Sequence, residues 1–272
     1  MPQEINIRKL IKERAPKVYQ FIPGFVFRYL ERIVHQEEVN NFMVEHQDKD
    51  AIDFAKSVKE KFEVNLTVIG LENIPKTGGC IVICNHPLGG LDAMALVPEL
   101  AKVRQDIKYI VNDLLLNIEP LKPIFIGVNK TGVNSRESLQ EVEQLFATDQ
   151  LIVLFPSGLV SRRINGKILD LPWKKTFVTK AAKYNLPILP IHIEGGLSSF
   201  FYRLSNIRKC LRLKVNIEML YLANELFKQK GKKVTFTIGK SQLLKDLPLE
   251  LGLQQKVHYF REELYKLAPN KR

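Results

Sequence analysis

From Asn65 onward the chain falls into short β-rich runs, "NLTVIG", "CIVIC", "IKYIV", "IFIGV", "LIVLF", "LPILPIHIE", "KVNIEMLYL" and "KVTFTIG", set apart by stretches of helical texture. Strands alternating with helices over this length specify an α/β fold, a mixed, largely parallel sheet flanked by helices. "RESLQEVEQLFA" carries Leu139, Val142, Leu145 and Phe146 at helical spacing, and "WKKTFVTKAAKYN" does the same with Trp173, Phe177, Ala181 and Tyr184. Both are expected as crossover helices.

Residues 1–62 lack strand alternation and are expected to form an N-terminal helical extension. Residues 63–245 form the expected α/β core, and residues 246–272 a closing amphipathic helix with a basic tail. No internal repeat or low-complexity linker marks a second independent domain.

Within the N-terminal segment, "RKLIKERAPKVYQFIPGFVFRYLERIV" mixes Lys and Arg with aromatic and aliphatic residues. That is the composition of a helix lying in a membrane interface, and equally of a helical cap with a solvated basic face. The net charge of +12 calls for an anionic partner. No apolar stretch reaches the roughly 18 to 20 residues that span a bilayer, and "MPQEINIRKLIKER" has no signal-peptide block. The expected location is cytoplasmic, peripherally on the inner face of the cell membrane. Nucleic acid is disfavoured, because no recognition-helix, RNA-recognition or zinc-finger pattern occurs.

Three cysteines, Cys80, Cys84 and Cys210, lack disulfide-framework spacing. Cys80, Cys84 and His86 suggest a metal only superficially, since a strand would hold Cys80 and His86 about 20 Å apart. No metal and no resident cofactor is expected.

Ligands of α/β sheets gather where strands end. Three run ends carry polar chemistry: "NHPLGGLD", "GVNKTG" and "FPSGLVSRR". In the first, Asp92 can orient the His86 imidazole and leave its second nitrogen as a general base, if Gly89 and Gly90 fold the loop back. No protein nucleophile accompanies the pair: there is no G-x-S-x-G elbow, and Cys84 sits in an apolar run. The substrate is therefore expected to bring the attacking group. His192, within "ILPIHIEG", is expected as a hydrogen-bonded histidine of the core or its rim. Trp173 is expected to pack a helix on the sheet.

The blocks "NHPLGGLD", "FIGVNKTG", "FPSGLVSRR" and "LPILPIHIEGG", in this order, resemble the glycerolipid acyltransferase family, the lysophospholipid acyltransferases and their relatives. The resemblance covers roughly residues 64–241. It implies transfer of a fatty acyl chain from an acyl-carrier protein or coenzyme A thioester to the hydroxyl of a lipid acceptor at a membrane surface, without an obligatory metal. It further implies His86 as general base, Asp92 as its orienting partner, and acceptor binding by Lys130, Ser157, Gly158 and Arg162. Backbone N–H groups near Gly89, Gly90 or Gly158 would meet the oxyanion.

Three departures stand out: five residues between His86 and Asp92 where the family has four, Lys130 for an arginine, and Ser157 for a glutamate. They resemble the bacterial hemolysin-like or ornithine-lipid-type branch, which acylates lyso-aminolipids (N-acyl amino acids), so the acceptor is expected to carry a carboxylate. The alternatives are a lysophosphatidic acid or other lysophospholipid acyltransferase, a thioester or lipid hydrolase, and a non-catalytic binder of anionic membrane or nucleic acid.

Overall fold

The computed structural model describes residues 4–128, 136–213, 216–248 and 251–269. Among the described residues there are nine strands: β1 (Asn65–Ile69), β2 (Cys80–Cys84), β3 (Ile107–Asn112), β4 (Phe125–Val128), β5 (Leu151–Leu154), β6 (Arg162–Ile164), β7 (Lys167–Leu169), β8 (Ile188–Ile193) and β9 (Lys233–Ile238). Seven form one sheet in the order β1-β9-β8-β2-β5-β3-β4, and β6 and β7 make a separate hairpin. The run β8-β2-β5-β3-β4 is parallel throughout. β9 joins β8 antiparallel and β1 joins β9 parallel, so these two strands run against the other five.

The helices are α1 (Ile7–Arg14), α2 (Pro16–Tyr19), α3 (Gly24–Ile33), α4 (Gln36–Glu45), α5 (Ala51–Lys61), α6 (Gly90–Ala101), α7 (Arg136–Leu145), α8 (Thr176–Tyr184), α9 (Ser199–Cys210), α10 (Leu222–Phe227) and α11 (Leu253–Lys266). All five residues of the central strand β2 are buried, as a strand covered on both faces requires. Alternate residues feed two cores. Cys80, Val82 and Cys84 join Phe54 and Val58 of α5 with Leu91 and Leu96 of α6. Ile81 and Ile83 join Phe177 of α8 with Phe260 and Leu264 of α11.

Two sequence expectations need correction. Of the expected strand "KVNIEMLYL", Lys214 and Val215 lie outside the described residues and the rest is not a strand: Ile217–Tyr221 is a 3-10 turn leading into α10. Its buried residues Glu218, Glu225 and the half-buried Leu222 follow helical spacing, because both carboxylates are drawn inward to partners. In α7, Leu145 lies in the core but Leu139 is more than half exposed.

Candidate active site

β2 ends at Cys84 between β5 and β8, and the chain turns out of the sheet at the next residue. Asn85 fastens that exit to the end of β8: its Nδ2 donates to the Ile193 carbonyl at 2.8 Å, and its Oδ1 accepts the Ile193 N–H at 2.7 Å. His86 then stands at the C-terminal edge of the parallel strands, where α/β sheets place their ligands. Its ring stacks on Phe155, the residue after β5, with centroids 4.2 Å apart.

The five-residue spacer is taken up by a tight turn that starts α6. Gly89 has φ +70° and ψ −132°, a conformation that side-chain-bearing residues rarely adopt. The turn brings Asp92, in the first turn of α6, to 2.8 Å from His86 Nδ1 through Oδ2. The Leu88 N–H donates to both carboxylate oxygens, at 3.2 and 3.0 Å. Asp92 is fully buried, and that burial raises its pKa against the opposing pull of the His86 hydrogen bond. With Nδ1 engaged, Nε2 is the free nitrogen; it has no hydrogen-bond partner among the described residues, and the His86 side chain keeps 20% of its exposure.

No Ser, Thr or Cys side chain hydrogen-bonds to His86 among the described residues. Burial holds the Cys84 thiol far above its ordinary pKa, and the nearby Asp92 and Asp170 carboxylates push the same way. Ser157 Oγ donates to the Leu159 carbonyl at 2.7 Å and Ser161 Oγ to Asp170 at 2.6 Å. The arrangement can therefore abstract a proton from an incoming group at Nε2, but it offers no side chain to be acylated.

Three of the residues expected at the acceptor have partners within the protein. Ser157 is buried with its hydroxyl committed, and the Gly158 N–H donates to the Phe155 carbonyl at 2.8 Å, so it is not a spare oxyanion donor. Arg162 is enclosed: its side chain is 1% exposed, Nη2 meets Glu218 Oε1 at 2.9 Å and Nη1 donates to the Val160 carbonyl at 2.6 Å. A guanidinium so enclosed ties the β6–β7 hairpin to the 3-10 turn. Lys130 lies outside the described residues. Gly90 is exposed, and a Cβ there would meet nothing within 4 Å. The N–H groups of Gly90 and Leu91, at the amino end of α6, have no acceptor among the described residues.

Sequence reasoning missed Asp170 and Glu218. Asp170, 1% exposed, accepts the His86 N–H at 3.1 Å, Ser161 Oγ at 2.6 Å and Trp173 Nε1 at 2.8 Å. Its signal was a lone acid inside the apolar "ILDLPW", as Glu218's was one inside "NIEMLYL". Trp173 packs edge-on against Phe177, as expected, and also supplies that hydrogen bond. His192 is buried in β8, but its Nδ1 has no hydrogen-bond partner, contrary to the expectation of a satisfied histidine.

A family profile described as acyltransferase matches residues 9–271. A lyso-glycine lipid O-acyltransferase of Phocaeicola vulgatus is 44% identical over 264 residues, covering 97% of this chain and 95% of that protein. Another protein of that name, from Bacteroides thetaiotaomicron, is 42% identical over 264 residues and covered to 97% on both sides. Among solved structures, a 1-acyl-sn-glycerophosphate acyltransferase of Thermotoga maritima aligns with a TM-score of 0.49 at 21% identity, over 81% of this chain and 79% of that one. With a profile match over nearly its full length and two relatives above 40% identity, the chain belongs to the acyltransferase family.

Proposed function

We propose that the protein transfers a fatty acyl chain from an acyl-carrier protein or coenzyme A thioester to the free hydroxyl of a lyso-aminolipid, an N-acyl amino acid of the glycine-lipid type. The observation that carries the chemistry is the 2.8 Å contact between His86 Nδ1 and buried Asp92, with Nε2 unpartnered and no nucleophilic side chain bonded to it among the described residues. The acceptor class is supported by the two relatives named lyso-glycine lipid O-acyltransferase.

In this reaction His86 Nε2 takes the proton of the acceptor hydroxyl as its oxygen attacks the thioester carbonyl. The C–O bond forms, the tetrahedral intermediate collapses with loss of the C–S bond, and the imidazolium returns the proton to the departing thiolate. Asp92 fixes the tautomer and stabilises the imidazolium. The N–H groups at the amino end of α6 are the donors best placed for the oxyanion, each contributing roughly 3 kcal/mol when well aligned.

The lipid acceptor would be drawn from an anionic membrane surface. No helix among the described residues is long and apolar enough to cross a membrane. Instead Phe21 and Phe25 are 84% and 65% exposed, and Tyr29, Phe200, Ile207 and Leu220 also face solvent. Tyr221 links them, its hydroxyl 2.7 Å from that of Tyr29 and its ring 5.0 Å from Phe200. Exposed Arg28, Arg32, Arg203 and Lys209 border this apolar strip. Rings among cations are what an anionic interface attracts.

The test is acyl transfer by the purified protein to a panel of an N-acyl amino acid with a free hydroxyl, lysophosphatidic acid and glycerol 3-phosphate, read by mass spectrometry. The expected product is the diacylated aminolipid. Acylation of the phosphate acceptors alone overturns the aminolipid assignment, and fatty acid released equally with and without acceptor would mean hydrolysis.

A further inference from the structure

The mechanism above uses one carboxylate, but a second is buried against the same histidine. Asp170 follows β7, beneath the His86 loop and apart from α6. Its Oδ1 accepts both the His86 N–H and Ser161 Oγ, while the Ser161 N–H donates to the His86 carbonyl at 2.7 Å. The two peptide groups flanking the His86 Cα are thus held by one closed ring of hydrogen bonds, which fixes the direction in which the imidazole leaves the backbone. The anchor is itself anchored: the Asp170 N–H donates to Tyr265 Oη at 2.8 Å, and its carbonyl accepts Arg261 Nη2 at 3.1 Å, both from α11.

We infer that Asp170 is a positioning residue for His86, whose carboxylate orients the imidazole through its backbone and adds a second negative charge that stabilises the imidazolium during proton transfer. This rests on His86 acting as the base.

The electrostatics are consistent with that role. Burial raises the pKa of Asp170, opposed first by the hydrogen bonds from Ser161, Trp173 and the His86 N–H and then by attraction to the His86 ring. Asp170 in turn adds to the rise at Asp92. Two buried like charges repel, and a proton arriving on the imidazole near both relieves that repulsion. The other groups packed around the pair are accounted for. Arg162 is neutralised by Glu218, and Cys84 is held as a thiol. The Tyr202 hydroxyl of α9 accepts the Leu197 N–H, and its ring carries Arg163 5.0 Å from its centroid. Tyr265 and Arg261 of α11 bond the Asp170 main chain, and His192 of β8 packs against Tyr265. Ser161 and Trp173 thereby acquire a role: by donating to Asp170 they favour its ionised form against the effect of burial.

The test is the titration of the His86 ring by NMR in isotope-labelled full-length protein, wild type against Asp170→Asn, with the resonance assigned by its loss in His86→Ala. Removing the second charge should move the titration midpoint to lower pH. The acid limb of kcat/KM should move with it, and kcat should fall while KM for donor and acceptor is kept. A folded Asp170→Asn protein with an unmoved midpoint overturns the inference, whatever its activity. If that variant does not fold, the wild type decides: the Asp170 carboxyl carbon should shift in step with the His86 titration, and its indifference overturns the inference. Neither readout depends on the acceptor, so a failed acceptor panel and an unmoved midpoint are separate results.

Discussion

Arg162 and Glu218 meet at 2.9 Å with both side chains almost wholly removed from solvent, and Arg208 Nε approaches the other Glu218 oxygen at 3.0 Å. Burial lowers the Arg162 pKa, and Glu218 opposes that shift. Breaking such a pair strands a charge, which typically costs about 3–5 kcal/mol, whereas an apolar pair of similar volume can be neutral. Glu218→Ala should therefore lower stability by about that amount in chemical denaturation. Arg162→Met combined with Glu218→Leu and Arg208→Gln removes all three charges together and should recover most of it, with acyl transfer kept, since the Arg162 side chain is enclosed. Loss of turnover in a stable triple variant would return Arg162 to the acceptor site.

The dyad geometry separates two substitutions. His86→Ala removes the base and should cost about 10²- to 10⁴-fold in kcat. Asp92→Asn presents an amide to Nδ1, permits the wrong tautomer, and should cost a comparable factor. Circular dichroism and thermal melts establish that both variants fold. Wild-type turnover by folded His86→Ala would refute the assignment.

The adjacent glycines should behave differently. Gly89 occupies positive φ, so Gly89→Ala should destabilise by about 1–3 kcal/mol and misplace Asp92. Gly90 already lies in α6 with open space around its Cα, so Gly90→Ala should leave the melting temperature unchanged or slightly higher. Equal melting temperatures in the two variants would contradict this reading of the turn.

His192 predicts a pH dependence. Burial lowers its pKa to about 4, below the ordinary histidine range. Between about pH 6.5 and pH 4 the unfolded chain binds the proton more readily than the folded one, so stability falls as pH drops through that window. The loss from this group is on the order of 3 kcal/mol and levels off below about pH 4. His192→Leu should flatten the curve in urea titrations at pH 7 and pH 5. An unchanged slope would show that other groups set the acid sensitivity.

The apolar strip across α3, the 3-10 turn and α9 should carry membrane binding. Phe25→Ser with Ile207→Ser removes one anchor from each helix and should weaken sedimentation with vesicles containing phosphatidylglycerol about tenfold or more. Thermal stability should be unaffected, because both side chains are exposed. Undiminished binding would rule this face out.

Much of the architecture was legible in the sequence because it follows from local apolar runs. "CIVIC", "LIVLF" and "IKYIV" became β2, β5 and β3 of one parallel run. "NIEMLYL" misled because its periodicity is ambiguous at that length, and burial of Glu218 decided it. The spacing of His86, the glycines and Asp92 was legible as a turn that could close, since only a positive-φ residue permits it.

The sequence by itself determined the class of fold and the pairing of an imidazole with a carboxylate six residues on, because both depend on neighbours in the chain. Tertiary structure alone decided which charges are enclosed and by which partners. Arg162 looked like an acceptor ligand until Glu218, 56 residues later, enclosed it. Asp170, 84 residues from His86, carried no sign of a role until the β6–β7 hairpin brought it against the histidine backbone. Burial and electrostatic partnership depend on separations through space, and only the packed chain sets those.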